Sequence, residues 1–337
     1  MLSWIFGSAT SNETKSNTEK IPKIVRKYGW NYNETYTEEE LKTRPELSTY
    51  KVMNYHPNLE NIKEIDNSSY LAELFDQSQE GSCTANGIIG SYEYTEKRST
   101  GTFIPMSRQG LYWMERNAEH PDDMTTDTGA NISTGMKLIK EQGVGLESLW
   151  PYNISKMADK PSEEFFNDLQ YHKANKTERV QKTLKDIDQC LLDGHVITFG
   201  FKVYSSFESE EVAKTGMVPM PDEKKEQLLG GHCVLLHSKK IIDGKVKYQI
   251  ANSWGTEWGD KGHFYVDPEF LIESSGFLGL NKLCSDFWTI KLVHDDKDPN
   301  VELTNGQKLD QIKKLLGTNT FDKDDLCNKL KNLVEQV

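Results

Sequence analysis

Cys83 ends the stretch Asp76-Gln77-Ser78-Gln79-Glu80-Gly81-Ser82-Cys83 and heads a helical pattern. Beyond it Ile88, Ile89, Tyr92 and Thr95 recur at the spacing of a buried stripe. A cysteine in the first turn of a helix lies in the positive field of the unsatisfied N–H groups. That field favours the thiolate, the form that attacks a carbonyl carbon. A lone cysteine is more often an inert buried residue, so this chemistry needs a proton-transfer partner elsewhere in the chain. Leu229-Gly230-Gly231-His232-Cys233 sets an imidazole between a glycine pair and an apolar strand. Ala251-Asn252-Ser253-Trp254-Gly255 supplies an amide able to orient an imidazole. A thiol, an imidazole and an orienting amide are the parts of nucleophilic acyl transfer.

The order cysteine, histidine, asparagine resembles that of the papain-like cysteine peptidases. Gln77 stands six residues before Cys83, where that family keeps an oxyanion glutamine. Gly81-Ser82-Cys83 repeats its Gly-Ser-Cys. Asn252-Ser253-Trp254-Gly255 repeats its Asn-Ser-Trp-Gly, with Trp258-Gly259 following at the family spacing. Gly230-Gly231-His232 leans toward the cathepsin B branch. The resemblance spans roughly residues 60 to 292. It implies an α+β, two-lobed papain-like fold: a helical lobe carrying the cysteine, a β-barrel-like lobe carrying histidine and asparagine, and the active-site cleft between them. It also implies roles. Cys83 is the nucleophile, His232 the proton shuttle, Asn252 its orienting group, and Gln77 an oxyanion-hole donor. Trp254 shields the histidine–asparagine hydrogen bond. Gly129 and Ala130 present main chain to an extended substrate, Cys233 lines the pocket for the second side chain before the scissile bond, and Trp258 flanks the leaving-group side. A small apolar core residue is an equal reading of Cys233.

Three departures from the family pattern are visible. Thr84 stands where a tryptophan usually follows the nucleophile, and Ala130 replaces the second glycine of the substrate loop. Secreted relatives bridge a cysteine three residues before the nucleophile to one in the substrate loop; here those positions are Glu80 and Asp127. With both halves missing and five scattered cysteines (Cys83, Cys190, Cys233, Cys284, Cys327), no disulfide framework or zinc site is expected. The N-terminus lacks a basic segment and a signal-length apolar run, so an intracellular, reducing location is the expectation. The N-x-S/T triplets at Asn12, Asn33, Asn67, Asn131, Asn153 and Asn175 then read as chance matches.

The chain has 337 residues, 36% of them hydrophobic and 27% charged, an ordinary globular composition large enough for a substantial core. A net charge of −12 argues against nucleic acid or an anionic membrane as partner, and no apolar run is long enough to span a bilayer. The expected partner is a protein or peptide substrate, with no cofactor, no metal and a monomeric chain.

Residues 8–20 are polar and read as disordered. Residues 1–58 form an N-terminal extension or short propeptide-like segment. Its anchors Ile21, Ile24, Val25, Tyr28, Trp30 and Tyr32 point to packing on the domain, across the cleft or on its far side. The peptidase domain is 59–293, with a helical lobe about 76–192 and a β lobe about 193–293. Helices are expected at about 88–98, Arg108 to Asn117, Gly129 to Gln142 and Thr183 to Leu192. Residues 155–176 read as loop, and Trp150 and Tyr152 as core. Strands are expected at His195 to Tyr204, Cys233 to His237, Lys247 to Ala251, Gly262 to Val266 and Phe287 to Val293, with Asp243-Gly244 as a hairpin turn. Helices first and strands second is the α+β order. Residues 294–337 form a charged tail with helical patterns at Leu309 to Leu316 and Asp324 to Val337. The leading function is a cysteine endopeptidase working through a thioester. A catalytically silent scaffold with a binding or particle-structural role, and acyl transfer such as transamidation on the same thioester, are the alternatives.

Overall fold

The computed structural model describes residues 26–31, 49–50, 52, 55–272, 274–275 and 281–291. The tail's helical patterns and Cys327 lie outside these residues. Helix α1, Cys83–Thr100, runs through the centre and ends at Gly101, whose left-handed φ of 70° lets its N–H reach Lys97 O at 2.8 Å. It starts five residues before the apolar stripe because its first turn buries polar groups with partners. The Thr84 hydroxyl donates to Glu115 (2.7 Å), Asn86 Nδ2 donates to Ser82 O (2.8 Å), and Arg108 Nη1 donates to Asn86 Oδ1 (2.8 Å). No hydrophobic period can mark such a turn.

Helices α2 (Arg108–Glu119) and α3 (Ile132–Glu141) pack on α1 through Ile88, Ile89, Leu111, Tyr112, Ile132, Met136 and Ile139. Ser107 caps α2, its hydroxyl accepting from the Gly110 N–H at 2.9 Å. The stretch expected to be loop holds a short helix, α4 (Glu163–Asp168), capped by Ser162 and pinned by fully buried Phe165. Six residues are too few for a helical period to register. Trp150 and Tyr152, expected in the core, are only half-buried.

The other lobe is built on one seven-stranded antiparallel sheet. Its strands are β1 (Ile65–Asp66), β2 (Lys176–Arg179), β3 (Ile197–Tyr204), β4 (Leu228–Ile242), β5 (Lys245–Ala251), β6 (His263–Val266) and β9 (Cys284–Lys291), in the order β2-β9-β3-β4-β5-β6 with β1 on β4. Strands β7 (Ser274–Ser275) and β8 (Asn281–Lys282) pair apart from it. Asp243 and Gly244, both at positive φ, make the β4–β5 turn. Helix α5 (Leu184–Leu192) and Val180 pack into the β core with Phe199, Phe201, Leu236 and Ile250. Tyr50 joins that core, and its N–H pairs with Arg179 O at the β2 edge (2.7 Å). The lobes meet where α1 crosses β3 and β4: Thr198 Oγ1 donates to Gly87 O at 3.2 Å, one turn beyond Cys83. This crossing sets the cysteine beside the histidine strand.

Burial also sets how stability depends on pH. Glu93 accepts the Met106 N–H on one oxygen (2.8 Å), its other oxygen has no partner, and desolvation pushes its pKa up to about 8. Desolvation raises Glu115 well above the usual 4.5. These two stabilise fully below 4.5, and that contribution fades as pH rises through their folded values. Burial pulls His195 to about 3, His232 to about 4 and His237 well below 6.5. These stabilise fully above 6.5 and lose that contribution as pH falls through the lower values. Between pH 4.5 and 6.5 the carboxyl contribution falls with pH while the imidazole contribution rises, so the two offset. The melting temperature is expected to fall below that window as the histidines charge, and above it until Glu93 has ionised past about 8. A melting temperature that keeps rising into the alkaline range would contradict the buried carboxyls.

Candidate active site

Cys83 is the first residue of α1 and is fully buried. Desolvation pushes its thiol up to about 12, although the backbone amides of Cys233, Gly29 and Thr84 favour the thiolate. His232 lies on β4, opposite Phe201 of β3. Its Nε2 stands 2.8 Å from Asn252 Oδ1, which also accepts the Ser253 N–H at 2.9 Å. That second donor identifies the Asn252 oxygen, so the histidine carries its proton on Nε2. Nδ1 is left basic, buried and without a hydrogen-bond partner. The Trp254 ring lies 5.2 Å from the imidazole, tilted 31°, and seals this hydrogen bond from solvent.

Gln77 is positioned by the loop bearing Asn252. Asp76 and Trp254 form an antiparallel bridge, and the Gln77 N–H donates to Ser253 O at 2.8 Å. Ser253 Oγ donates to Gln77 Oε1 at 2.6 Å, which turns Nε2 toward the cleft. Nothing in the sequence reading singles out Ser253 for this work, although it lies inside the Asn-Ser-Trp-Gly stretch. Tyr152 braces the nucleophile loop from below, its hydroxyl 2.6 Å from Ser82 Oγ and 3.0 Å from both Gln77 O and Glu80 Oε2.

Residues 26–31 lie in the cleft. The Lys27 carbonyl accepts from Gln77 Nε2 at 3.3 Å, and the Tyr28 ring meets His232 edge-on at 6.0 Å. The Tyr28 hydroxyl donates to Glu208. Gly29 passes so close that a Cβ there would stand 1.6 Å from Gly81 O. Ala130 N–H donates to Gly29 O (2.7 Å), and Asn31 N–H donates to Ala130 O (3.0 Å). The Trp30 indole is buried over Gly200, where any Cβ would strike the ring, and its Nε1 donates to Asp286 Oδ2 at 3.4 Å. Arg26 reaches the other end of the cleft, 5.1 Å over the Trp254 ring.

The remaining residues of the sequence reading fall as follows. Ala130 presents both backbone groups to the cleft, whereas the Gly129 N–H is taken by the Tyr112 hydroxyl at 3.1 Å. Cys233 is buried in one cluster with Trp30, Ala130 and Cys83. Trp258 packs into the β core against Trp254 and Phe207, at 5.0 and 5.3 Å between ring centroids. His120 is exposed. Cys83, Cys190, Cys233 and Cys284 are all free thiols, and no metal-binding group of side chains occurs among the described residues.

The model of the papain family cysteine proteases matches residues 60–273. The chain belongs to that family. It is 36% identical over 244 residues to an uncharacterised peptidase C1-like protein of Acanthamoeba polyphaga mimivirus, covering 68% of this chain and 74% of the viral one. Cysteine proteinase 2 of Entamoeba histolytica is 25% identical over 194 residues, 56% of this chain and 57% of that protein, so the match spans little more than half its length. The structure of xylellain, a cysteine protease from Xylella fastidiosa, superposes with a TM-score of 0.66 at 26% identity, covering 79% of this chain and 97% of that one. Family membership supports a peptidase acting on protein substrates. No helix among the described residues is long and apolar enough to cross a membrane. In this member of the papain family, carboxylates stand at the two positions where the sequence resemblance implies a disulfide in secreted relatives. Glu80 accepts from Gln109 Nε2 (2.7 Å) and Tyr152, while Asp127 accepts from the Tyr112 hydroxyl and from the Gly81 N–H (2.9 Å).

Proposed function

We propose that the chain is a cysteine endopeptidase held latent by its own residues 26–31. The observation that carries this reading is the histidine tautomer. Asn252 Oδ1 accepts the Nε2–H hydrogen bond, leaving a basic Nδ1 on a strand whose next residue, Cys233, gives its backbone N–H to the Cys83 thiol at the head of a helix. Cys83 attacks the substrate carbonyl once Nδ1 has taken its proton. The oxyanion is met by Gln77 Nε2 and the Cys83 N–H. His232 protonates the departing amine, then draws a proton from the water that hydrolyses the thioester. In the covered form this pair is uncharged at neutral pH, because burial raises the thiol to about 12 and lowers the imidazole to about 4. Displacing residues 26–31 readmits water and lets the pair ionise. Endopeptidase action is favoured because the described segment spans the cleft from Trp254 at Arg26 to Ala130 at Asn31, room for an extended chain on both sides of Cys83.

The test is cleavage of a peptide library alongside iodoacetamide labelling. Label is expected on Cys83 ahead of the other buried thiols, with cleavage lost in proportion to it. Cleavage that survives complete labelling of Cys83 ends the reading. In the same assay Gln77→Ala is expected to lower kcat by about 10²–10³-fold, as for removal of one oxyanion donor. An unchanged kcat would take Gln77 out of the mechanism.

A further inference from the structure

The geometry points to Asp127 as the residue that selects a basic side chain on the substrate residue whose carbonyl is attacked. This inference rests on the peptidase reading above. The carbonyl of Lys27 sits on Gln77 Nε2 at 3.3 Å, so Lys27 occupies the place of that substrate residue. Its Nζ reaches Asp127 Oδ2 at 3.0 Å. The carboxylate does not depend on the lysine for its position. The Gly81 N–H, two residues before the nucleophile, donates to it at 2.9 Å, and the Tyr112 hydroxyl donates to its other oxygen. Asp127 thus belongs to the wall beside Cys83, with its side chain only 6% exposed.

Lys27 supplies the ion pair of Asp127. Arg116, another cation near this loop, donates instead to the carbonyls of Met124 (2.8 Å) and Thr126 (3.2 Å). When residues 26–31 leave, a carboxylate fixed by the Gly81 N–H and the Tyr112 hydroxyl faces the cleft without its cation. A lysine or arginine of the substrate restores the pair, whereas a neutral side chain leaves the charge unpaired. Glu80, the neighbouring carboxyl, does not compete, because Gln109 and Tyr152 occupy it.

The experiment uses the full chain carrying Gly29→Val, which cannot hold the segment against Gly81. Two peptides differ only at the residue preceding the scissile bond: lysine in one, Nε-acetyl-lysine in the other. The lysine peptide is expected to have a kcat/KM about tenfold higher or more, as for a charge-assisted hydrogen bond in a partly desolvated site. Adding Asp127→Asn is expected to bring the ratio close to one. Equal cleavage of both peptides before that substitution, or an unchanged ratio after it, overturns the assignment. If the chain with Asp127→Asn added does not melt cooperatively, the ratio in the Gly29→Val chain decides, together with its fall as salt is raised. If neither peptide is cleaved, the peptidase reading fails by itself. Fluorescence anisotropy with the full chain carrying Cys83→Ala and Gly29→Val then decides on Asp127. Tighter binding of the lysine peptide, by about tenfold, supports it, and equal binding overturns it.

Discussion

Cys83→Ala is expected to lower peptide turnover by at least about 10⁴-fold while the chain keeps a cooperative melt. The thiol contributes little to the fold. It is one small buried group at the head of α1, so its loss leaves a void smaller than a methylene-rich truncation would. Its chemical contribution has no substitute nearby, because the Cys233 thiol is turned to Gly87 and raised well above its usual value. His232→Ala is expected to cost a similar factor. It also strands Asn252 Oδ1 with only the Ser253 N–H and removes the ring that Tyr28, Phe201 and Trp254 pack on. Some loss of melting temperature should therefore accompany it. The double variant should be no slower than either single one, since nucleophile and base act as a unit. Turnover and calorimetry on the four chains check this. Wild-type turnover by Cys83→Ala, or strictly multiplicative losses, would remove Cys83 and His232 from their roles.

The two candidate lobes were legible in the sequence because each carries a period: three-to-four along α1 to α3, apolar runs along β3 to β5. The candidate site was legible because Cys83, His232 and Asn252 each sit in a distinctive local stretch. What escaped is polar or aperiodic. The first turn of α1 buries Thr84 and Asn86, whose partners Glu115 and Arg108 lie on another helix, so no local pattern announces it. Asp127 and Glu80 show only what is missing, a pair of cysteines. Their hydrogen bonds to Tyr112 and Tyr152 become visible only once the helices are packed. The anchors before residue 59 signalled packing without its place. Of those anchors Tyr28 and Trp30 go to the cleft, and Ile21, Ile24, Val25 and Tyr32 lie outside the described residues; Tyr50, which no pattern singled out, packs at the edge of β2. Ser253 had no signal of its own, since holding Gln77 requires two loops to meet.

Gly29→Val is expected to raise turnover of a small peptide by about 100-fold, with a parallel rise in the rate of Cys83 alkylation. At Gly29 the covering segment meets backbone on both sides. A Cβ would stand 1.6 Å from Gly81 O, and Gly129 presses on the Gly29 carbonyl from the other side. Neither neighbour can rotate away as a side chain would, so the segment must lift. Overpacking against fixed atoms costs about 1–3 kcal/mol or more, and the upper end of that range corresponds to the stated rate increase. The remaining contacts hold the segment only in part. Lys27 is 54% exposed but its partner Asp127 only 6%, so the half-screened pair holds the segment by about the same tenfold expected of a substrate lysine there, not by enough to keep it closed alone. Trp30 contributes most, as a buried indole over Gly200, and Trp30→Ala should therefore open the cleft as well. A point substitution separates covering from folding better than deleting residues 1–58, because that deletion also removes Tyr50 from the β core. Both variants should melt cooperatively. Increased turnover in a folded chain makes residues 26–31 a cover over the site. Unchanged turnover in a folded chain would show that substrate reaches Cys83 without displacing them, and the latency reading would then be wrong.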